Sequence, residues 1–429
     1  MRDGGEKAID AHQIVPEGRI EENGPGDGVP ATWRAKPFAH WQGRLLTHEE
    51  CSKVKEIVAA CEDAHGMRLL VKYATSPHGL VDDQVRRIAW PILLGYDASK
   101  SGISPQPWRE LPRHRDEDQI KLDVNRSFIY YPNNESDKQL DRRKEELSNV
   151  ITETLRRHPM LCYFQGFHDI AQVFLLVLGV ENAADAVAHL SLLRIRDFML
   201  PSLAPSLAHL RLLPAILSST DAGLCQHLSQ TQPFFALAAT LTLYAHDIQE
   251  YGDIARLFDF LLAQEAVVSV YLFAVIILSR REELFEIPAD EPEMLHSVLS
   301  KLPKPLDLEA LISKTMVLFS AHPPPSLPFG AWRKVSIYSV LKTTQGSIKK
   351  QSLQDGEELY EMQALQLRRA ELTQHAITKL WKYRRPAGSV CLAVFLGIVS
   401  FWLRRFGADG ILGPGLRRVL ELFRIIRVR

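Results

Sequence analysis

Apolar residues recur every three to four positions over much of this 429-residue chain, and this spacing constrains its fold more than any other feature. Residues 82–93 and 140–155 each carry one apolar helix face, and 167–180, 234–244 and 254–278 are apolar nearly all round, as buried helices are. Sustained alternation of apolar and polar residues, which marks half-buried strands, occurs nowhere in the sequence. The sequence therefore predicts an all-α fold.

Turn residues and changes in composition divide the chain into segments. Gly and Pro with few apolar neighbours dominate the first 40 residues, Thr47 and Glu50 have the spacing of a helix cap, and prolines at 323–325 end the helical spacing. We expect the following segments: a disordered leader at 1–40, N-terminal helices packing on the main domain at 41–77, the main domain at 78–320, a Pro-rich linker and charged helix at 321–386, a transmembrane segment at 387–403 and a basic amphipathic tail at 404–429.

The predicted transmembrane segment is an uncharged run of about 17 residues, close to the minimum that spans a hydrocarbon core. Basic and aromatic residues lie at both of its ends, among them Trp381, Arg384, Trp402 and Arg404, and such belts are typical of membrane interfaces. The alternative is a buried core helix, which seldom has basic clusters at both ends. Whether the segment crosses once or enters as a short hairpin is left open.

Charge and cysteine content exclude several classes of function. Lys plus Arg equals Asp plus Glu at 51 each, so no nucleic-acid partner is expected. The five cysteines include no Cys-x-x-Cys pair, and there is no His-Glu-x-x-His string, so no structural metal is expected. A phosphate-binding loop ending in Lys-Ser or Lys-Thr and a nucleophile elbow are both missing from the sequence, which argues against an intrinsic hydrolase.

Three short strings, at 85–95, 120–126 and 163–167, carry the chemistry of the sequence. They include one arginine, Arg126, and one glutamine, Gln165. GTP hydrolysis by a small GTPase is limited by unneutralised charge on the phosphoryl group and by a badly oriented water, and an arginine and a glutamine each remedy one of these. Each residue also has an ordinary explanation, because Arg126 could pair with Asp123 on one helix and Gln165 could cap another.

Together the three strings resemble the signature motifs of the TBC family of Rab GTPase-activating proteins, which are Arg-x-x-x-Trp, Ile-x-x-Asp-x-x-Arg and Tyr-x-Gln-Gly. The matching residues are Arg86, Trp90, Ile120, Asp123, Arg126, Tyr163, Gln165 and Gly166. The resemblance covers residues 78–320 and is strongest to the membrane-anchored members of the early secretory pathway. It implies a multi-helix TBC (Rab-GAP) domain.

The resemblance also implies roles for the matching residues. Arg126 is expected to be an arginine finger that offsets charge growing between the β- and γ-phosphates, and Gln165 a second finger that orients the attacking water. The other residues are expected to support the site: Asp123, which orients Arg126, together with Arg86, Trp90, Tyr163 and Gly166. No cofactor of its own is expected, because the partner GTPase carries GTP and Mg²⁺.

The implied function is stimulation of GTP hydrolysis by a Rab-family GTPase in its GTP form, so the protein would regulate an enzyme without an activity of its own. The anchored members imply attachment to the endoplasmic reticulum or an early secretory membrane, a catalytic domain that faces the cytosol, and a role in ER-to-Golgi traffic. The alternative is a non-catalytic scaffold that binds a Rab or tethers membranes. Retention of both Arg126 and Gln165 argues against it, because a tether has no use for them.

Overall fold

Helices form all of the regular secondary structure in the described part of the chain, which confirms the all-α class. The structure is a computed structural model that describes residues 46–98, 106–132, 135–345 and 351–406, without the side chains of 380, 382–391, 403 and 406. The described residues from Glu49 onwards belong to one compact unit. The leader predicted at 1–40 lies outside the described residues.

Capping residues set several helix boundaries in the first half of the chain. The helices are α1 (His48–Glu62), α2 (Met67–Thr75), α3 (Asp83–Leu94), α4 (Glu117–Val124), α5 (Asp137–Arg157), α6 (Phe167–Leu178) and α7 (Val180–Leu193). Asp82 accepts a hydrogen bond from the Gln84 backbone N–H at 2.7 Å and so starts α3. Ser136 and Gln139 form a capping box that starts α5, and Gly179 separates α6 from α7.

The second half contains many short helices and also the longest described helix, α19 (Leu353–Phe406). The helices are α8 (Ala204–Leu210), α9 (Leu212–Thr220), α10 (Ala222–His227), α11 (Leu237–Leu241), α12 (Tyr251–Ala263), α13 (Val268–Ser279), α14 (Arg281–Phe285), α15 (Pro292–Leu299), α16 (Leu308–Ala321), α17 (Ala331–Lys334), α18 (Val340–Thr343) and α19 (Leu353–Phe406). The 3₁₀ turns are Trp108–Glu110, Arg196–Phe198, Pro233–Ala236, Pro324–Ser326 and Pro328–Gly330. The apolar run at 254–278 is therefore two helices, α12 and α13, rather than one.

The centre of the domain consists of two helices that are apolar on nearly every side. All residues of α6 except Asp169 are buried, and α6 packs against α3, α5 and α7. In α13, residues 268–277 are buried, and the helix packs against α9 and α16. Each fully buried Leu, Ile, Val or Phe stabilises the fold by about 1.5–3 kcal/mol. These two helices therefore provide the rigid base on which loops are held.

Residues 324–344 pack on the domain instead of forming the extended linker expected from their prolines. Pro324 and Pro328 each occupy the first position of a 3₁₀ turn, where a missing backbone N–H is tolerated. Trp332, Val340 and Leu341 that follow are buried. Burial of these apolar side chains explains why the segment folds back on the core, and the predicted charged helix at 355–384 lies within α19.

Within the described ranges, no helix has a stretch that is long and apolar enough to cross a membrane. The transmembrane segment predicted at 387–403 overlaps residues 387–391, whose side chains are outside the description. The amphipathic tail predicted at 404–429 lies outside the described residues beyond Phe406. Both stay predictions.

Candidate functional site

Arg126 lies in the turn that follows α4 and presents its guanidinium to solvent. Its side chain is 61% exposed, and its Nη2 donates a hydrogen bond to Asp123 Oδ1. The turn itself is closed by a backbone hydrogen bond of 3.0 Å from Arg126 N–H to the Asp123 carbonyl. No other hydrogen bond holds the guanidinium within the described residues. One hydrogen bond therefore holds the Arg126 guanidinium in place, and its other N–H donors are available to a binding partner.

Asp123 connects Arg126 to the segment that carries Gln165. This carboxylate is completely buried and accepts hydrogen bonds at 3.0 Å from Gln119 Nε2 and, on its other oxygen, from the Tyr163 hydroxyl. A buried carboxylate with several donors is well satisfied and rigid. Because Tyr163 is two residues before Gln165, one carboxylate fixes both halves of the candidate site.

Gln165 is exposed, and the residues on either side of it are held firmly. The Tyr163 backbone N–H donates to Asp116 Oδ2 at 3.0 Å, and the Phe164 ring is buried against Phe167 with ring centroids 5.5 Å apart. Gly166 has φ 101°, and a Cβ there would lie 2.6 Å from Thr242 Cγ2. Glycine is therefore required at this position both by the backbone conformation and by space.

The loop that follows Arg126 is anchored to α6 by a single amide. Gln172 accepts from the Phe128 backbone N–H at 3.0 Å through Oε1 and donates from Nε2 to the Tyr131 carbonyl at 3.3 Å. Between these anchors the side chains of Ile129 and Tyr130 are 73% and 43% exposed. An apolar surface is therefore held next to the Arg126 guanidinium.

Several ionisable groups lie beneath Gln165. Burial lowers the pKa of His168, whose Nδ1 lies 3.3 Å from the Tyr163 hydroxyl oxygen. A hydrogen bond of 2.9 Å to Asp169 raises the pKa of His246, and burial raises the pKa of Tyr163. Across the described residues, no group of three or more His, Cys, Asp or Glu side chains could hold a metal ion. The hydrogen bonds among these groups stabilise the segment around Gln165.

Arg86 and Trp90 lie in the core and share a partner that the motifs do not contain. Arg86 Nε and Nη2 donate to the two oxygens of Asp259 at 3.0 Å each, and Trp90 Nε1 donates to Asp259 Oδ1 at 2.8 Å. Burial alone would lower the pKa of Arg86, but Asp259 and Asp83 outweigh it and raise that pKa. Both residues are buried, so neither reaches the surface where Arg126 lies.

A chain of side-chain contacts connects the buried cluster of Arg86, Trp90 and Asp259 to the candidate site. Asp83, which pairs with Arg86, accepts a hydrogen bond of 2.7 Å from the Tyr251 hydroxyl. The ring of Tyr251 lies 5.8 Å from that of Tyr131 in the loop that Gln172 anchors. The structure thus brings Asp123, Arg126, Tyr163, Gln165 and Gly166 together, and it places Arg86 and Trp90 behind the loop.

Gln119 and Gln172 are positioning residues that sequence reasoning missed. Gln172 had a usable signal, because it is an amide in the middle of the apolar run 170–178 and buried polar groups are nearly always hydrogen-bonded. Gln119 had only the four-residue spacing to Asp123, which is common on helix surfaces.

Comparison with known proteins identifies the family. A model of the Rab-GTPase-TBC domain matches residues 83–285. GTPase-activating protein gyp10 of Schizosaccharomyces pombe is 32% identical over 294 residues, which are 68% of this chain and 78% of that protein. TBC1 domain family member 20 of Homo sapiens is 33% identical over 296 residues, covering 67% and 73%.

The fold is also similar to a solved structure. The crystal structure of the Ypt/Rab-GAP domain of Gyp1p aligns with 63% of this chain and 99% of that domain, at a TM-score of 0.50 and 15% identity. At that identity the likeness concerns the fold alone. The family match and the two relatives confirm the resemblance inferred from the motifs, and the chain belongs to the RabGAP-TBC family of Rab GTPase-activating proteins.

Proposed function

We propose that this protein binds a Rab GTPase in its GTP form and inserts Arg126 and Gln165 into the nucleotide site, where they accelerate hydrolysis. The observation that carries the proposal is the Asp123 carboxylate, which holds the exposed Arg126 on one oxygen and Tyr163, two residues before the exposed Gln165, on the other. A scaffold that only bound a Rab would have no need to hold Arg126 and the segment that carries Gln165 through one buried group.

Arg126 has the chemistry that a finger needs. Its guanidinium is permanently charged and planar, and the donors that Asp123 does not use can contact phosphate oxygens on which charge accumulates. A finger supplied by a partner accelerates hydrolysis roughly 10³- to 10⁵-fold. The hydrogen bond to Asp123 already restricts the Arg126 side chain in the free protein. Arg126 therefore loses less conformational entropy when it binds a partner.

Gln165 can orient the attacking water. Its amide offers one donor group and one acceptor, so it can hold a water in line with the γ-phosphate. Gly166 lets the backbone turn sharply after Gln165, and Thr242 closes the space behind that turn. The exposed Ile129 and Tyr130 beside Arg126 supply apolar surface for the bound GTPase.

The test is single-turnover GTP hydrolysis by a panel of purified Rab GTPases with an excess of the full-length chain. We expect at least one Rab to be accelerated, and we expect Arg126→Ala and Gln165→Ala each to remove most of that acceleration. Arg142→Ala, which removes an exposed arginine that also pairs with a carboxylate on its own helix, is the matched control and should remain fully active. Gln226→Ala, at another exposed glutamine, is the second control.

Two outcomes would contradict the proposal. If no Rab is accelerated although one binds, the protein is a non-catalytic scaffold. If a Rab is accelerated and Arg126→Ala is as fast as the wild type, the fingers assigned here are wrong.

We further propose that the C-terminal part of α19 attaches the protein to the endoplasmic reticulum or another early secretory membrane, with the domain facing the cytosol. The uncharged run at 387–403 supports this, as do Leu392, Phe395, Phe401 and Trp402, each more than half exposed. The full-length chain should stay in the membrane pellet after carbonate extraction, and release into the supernatant would contradict the proposal. Protease protection of a C-terminal tag distinguishes a single pass from a hairpin.

A further inference from the structure

The loop between α5 and α6 leads directly to Gln165, and contacts from residues distant in the sequence hold its backbone. Arg115 donates from Nη1 to the Pro159 carbonyl at 3.0 Å and from Nη2 to the Leu161 carbonyl at 2.9 Å. The Cys162 backbone N–H donates to the Met199 carbonyl at 2.9 Å. The position of Gln165 therefore depends on groups outside its own loop.

One further side of this loop is held by the first turns of α19. The buried Tyr360 donates from its hydroxyl to the Met160 carbonyl at 2.6 Å, and His158 Nδ1 lies 2.7 Å from Glu357 Oε1. Met160 is five residues before Gln165, and the loop has no regular secondary structure between them. Contacts from α19 thus reach the loop only a few residues before the candidate finger.

These turns of α19 are seated tightly on the domain. Gly356 and Gln363 are buried on the same helix face as Tyr360, at the spacing of four and three residues that places them above one another. A Cβ on Gly356 would lie 2.8 Å from Leu192 Cβ, and Gln363 Nε2 donates to the buried Asp197 Oδ1 at 3.0 Å. α19 therefore has one defined docking position on the domain.

We infer that docking of α19 against residues 158–162 positions Gln165 for catalysis, with Tyr360 as the positioning residue. The inference deepens the proposed function and rests on the role of Gln165 given there. Tyr360 touches neither the nucleotide nor the reacting water in this scheme; it acts through the Met160 carbonyl and the four residues between that carbonyl and Gln165. α19 continues from these turns as one helix about 80 Å long, so its docked end and its C-terminal end are parts of one element.

The test is Tyr360→Phe in the full-length chain, which removes one hydroxyl and leaves the packed ring. In single-turnover assays with increasing activator, we expect the maximal rate to fall about 3- to 10-fold, the range that one lost hydrogen bond allows, with an unchanged half-saturating concentration. Glu357→Ala should act in the same direction. Tyr271→Phe removes a hydroxyl that donates to the His322 carbonyl elsewhere in the domain, and this matched control should keep the wild-type rate.

Combination with the finger variants separates positioning from general destabilisation. In the Gln165→Ala background Tyr360→Phe should cause no further loss, because the group it positions is already gone, whereas in the Arg126→Ala background the loss should persist. An equal loss in both backgrounds, or an equal loss for Tyr271→Phe, would mean that Tyr360 serves the fold alone and would overturn the inference.

The same assays distinguish this inference from the proposed function. If Gln165→Ala is impaired while Tyr360→Phe matches the wild type, the positioning role is wrong and the proposed function stands. If the wild type accelerates no Rab, or Gln165→Ala is as fast as the wild type, the role of Gln165 fails and the inference fails with it.

Discussion

Arg86 and Arg126 are both motif arginines with an aspartate partner, and their surroundings predict opposite consequences when each is replaced by methionine. Arg86 is buried and donates three hydrogen bonds to Asp259, a carboxylate with no exposed surface. Among the described residues, Arg86→Met leaves that buried carboxylate with the Trp90 and Leu80 N–H groups as donors. Breaking one side of a buried ion pair costs about 3–5 kcal/mol.

Arg126→Met breaks a pair whose arginine is mostly in water. Asp123 itself is buried, but it loses one hydrogen bond and keeps those from Gln119 and Tyr163, so we expect a cost of about 1–3 kcal/mol, below that of Arg86→Met. A finger, by contrast, is worth roughly a thousand-fold or more in rate. We therefore expect Arg126→Met to lose GTPase activation with a smaller loss of stability, and Arg86→Met to lose more stability while its folded fraction keeps the wild-type maximal rate.

Urea unfolding followed by circular dichroism measures the first quantity, and single-turnover GTP hydrolysis below the unfolding transition measures the second. A total stability of about 5–15 kcal/mol is ordinary for a domain, so the loss in Arg86→Met should shift the urea midpoint strongly. The reasoning is refuted if Arg86→Met unfolds at the wild-type midpoint, or if Arg126→Met is destabilised as much as Arg86→Met.

Two further predictions concern the surroundings of Gln165. Gly166→Ala should destabilise the fold by about 1–3 kcal/mol through backbone strain alone, and it should also lower the maximal GTPase rate because the added methyl meets Thr242. Thr242→Ser should restore part of that rate. The control is Gly179→Ala, where the space is open, and it should lose stability without loss of rate. The raised pKa of His246, caused by its hydrogen bond to Asp169, contributes stability that is fully present below the unfolded-state pKa of about 6.5 and is lost as pH rises through the folded-state pKa. The unfolding free energy of His246→Gln should therefore differ from that of the wild type more at pH 6 than at pH 9, and a pH-independent difference would contradict this assignment.

Features with strong local signals were predictable from the sequence. The start of α5 follows from its capping box, and the apolar run at 167–180 corresponds to α6. The apolar run at 254–278 gives no periodicity signal for the break between α12 and α13, and a contact from a distant residue lies at that break. The Arg194 guanidinium donates to the Leu262 and Gln264 carbonyls, and so satisfies carbonyls at the end of α12 that have no partner within the helix.

The candidate site was predictable in part. The contact between Asp123 and Arg126 follows from a spacing of three residues, whereas the hydrogen bond from Tyr163 to the same carboxylate crosses 40 residues. Nothing in the spacing of these residues indicates that pairing. The motif resemblance indicated the candidate site residues, and the fold shows how they are held.

By itself the sequence determined the helical class, the family and the identity of the two candidate fingers, because periodicity and motif spacing are relations between neighbours along the chain. Only the tertiary structure decided that Arg86 and Trp90 share Asp259, 173 and 169 residues away, and that Tyr360 contacts the loop leading to Gln165. Such pairings arise when distant helices bury their apolar faces together and the polar groups carried along must find partners.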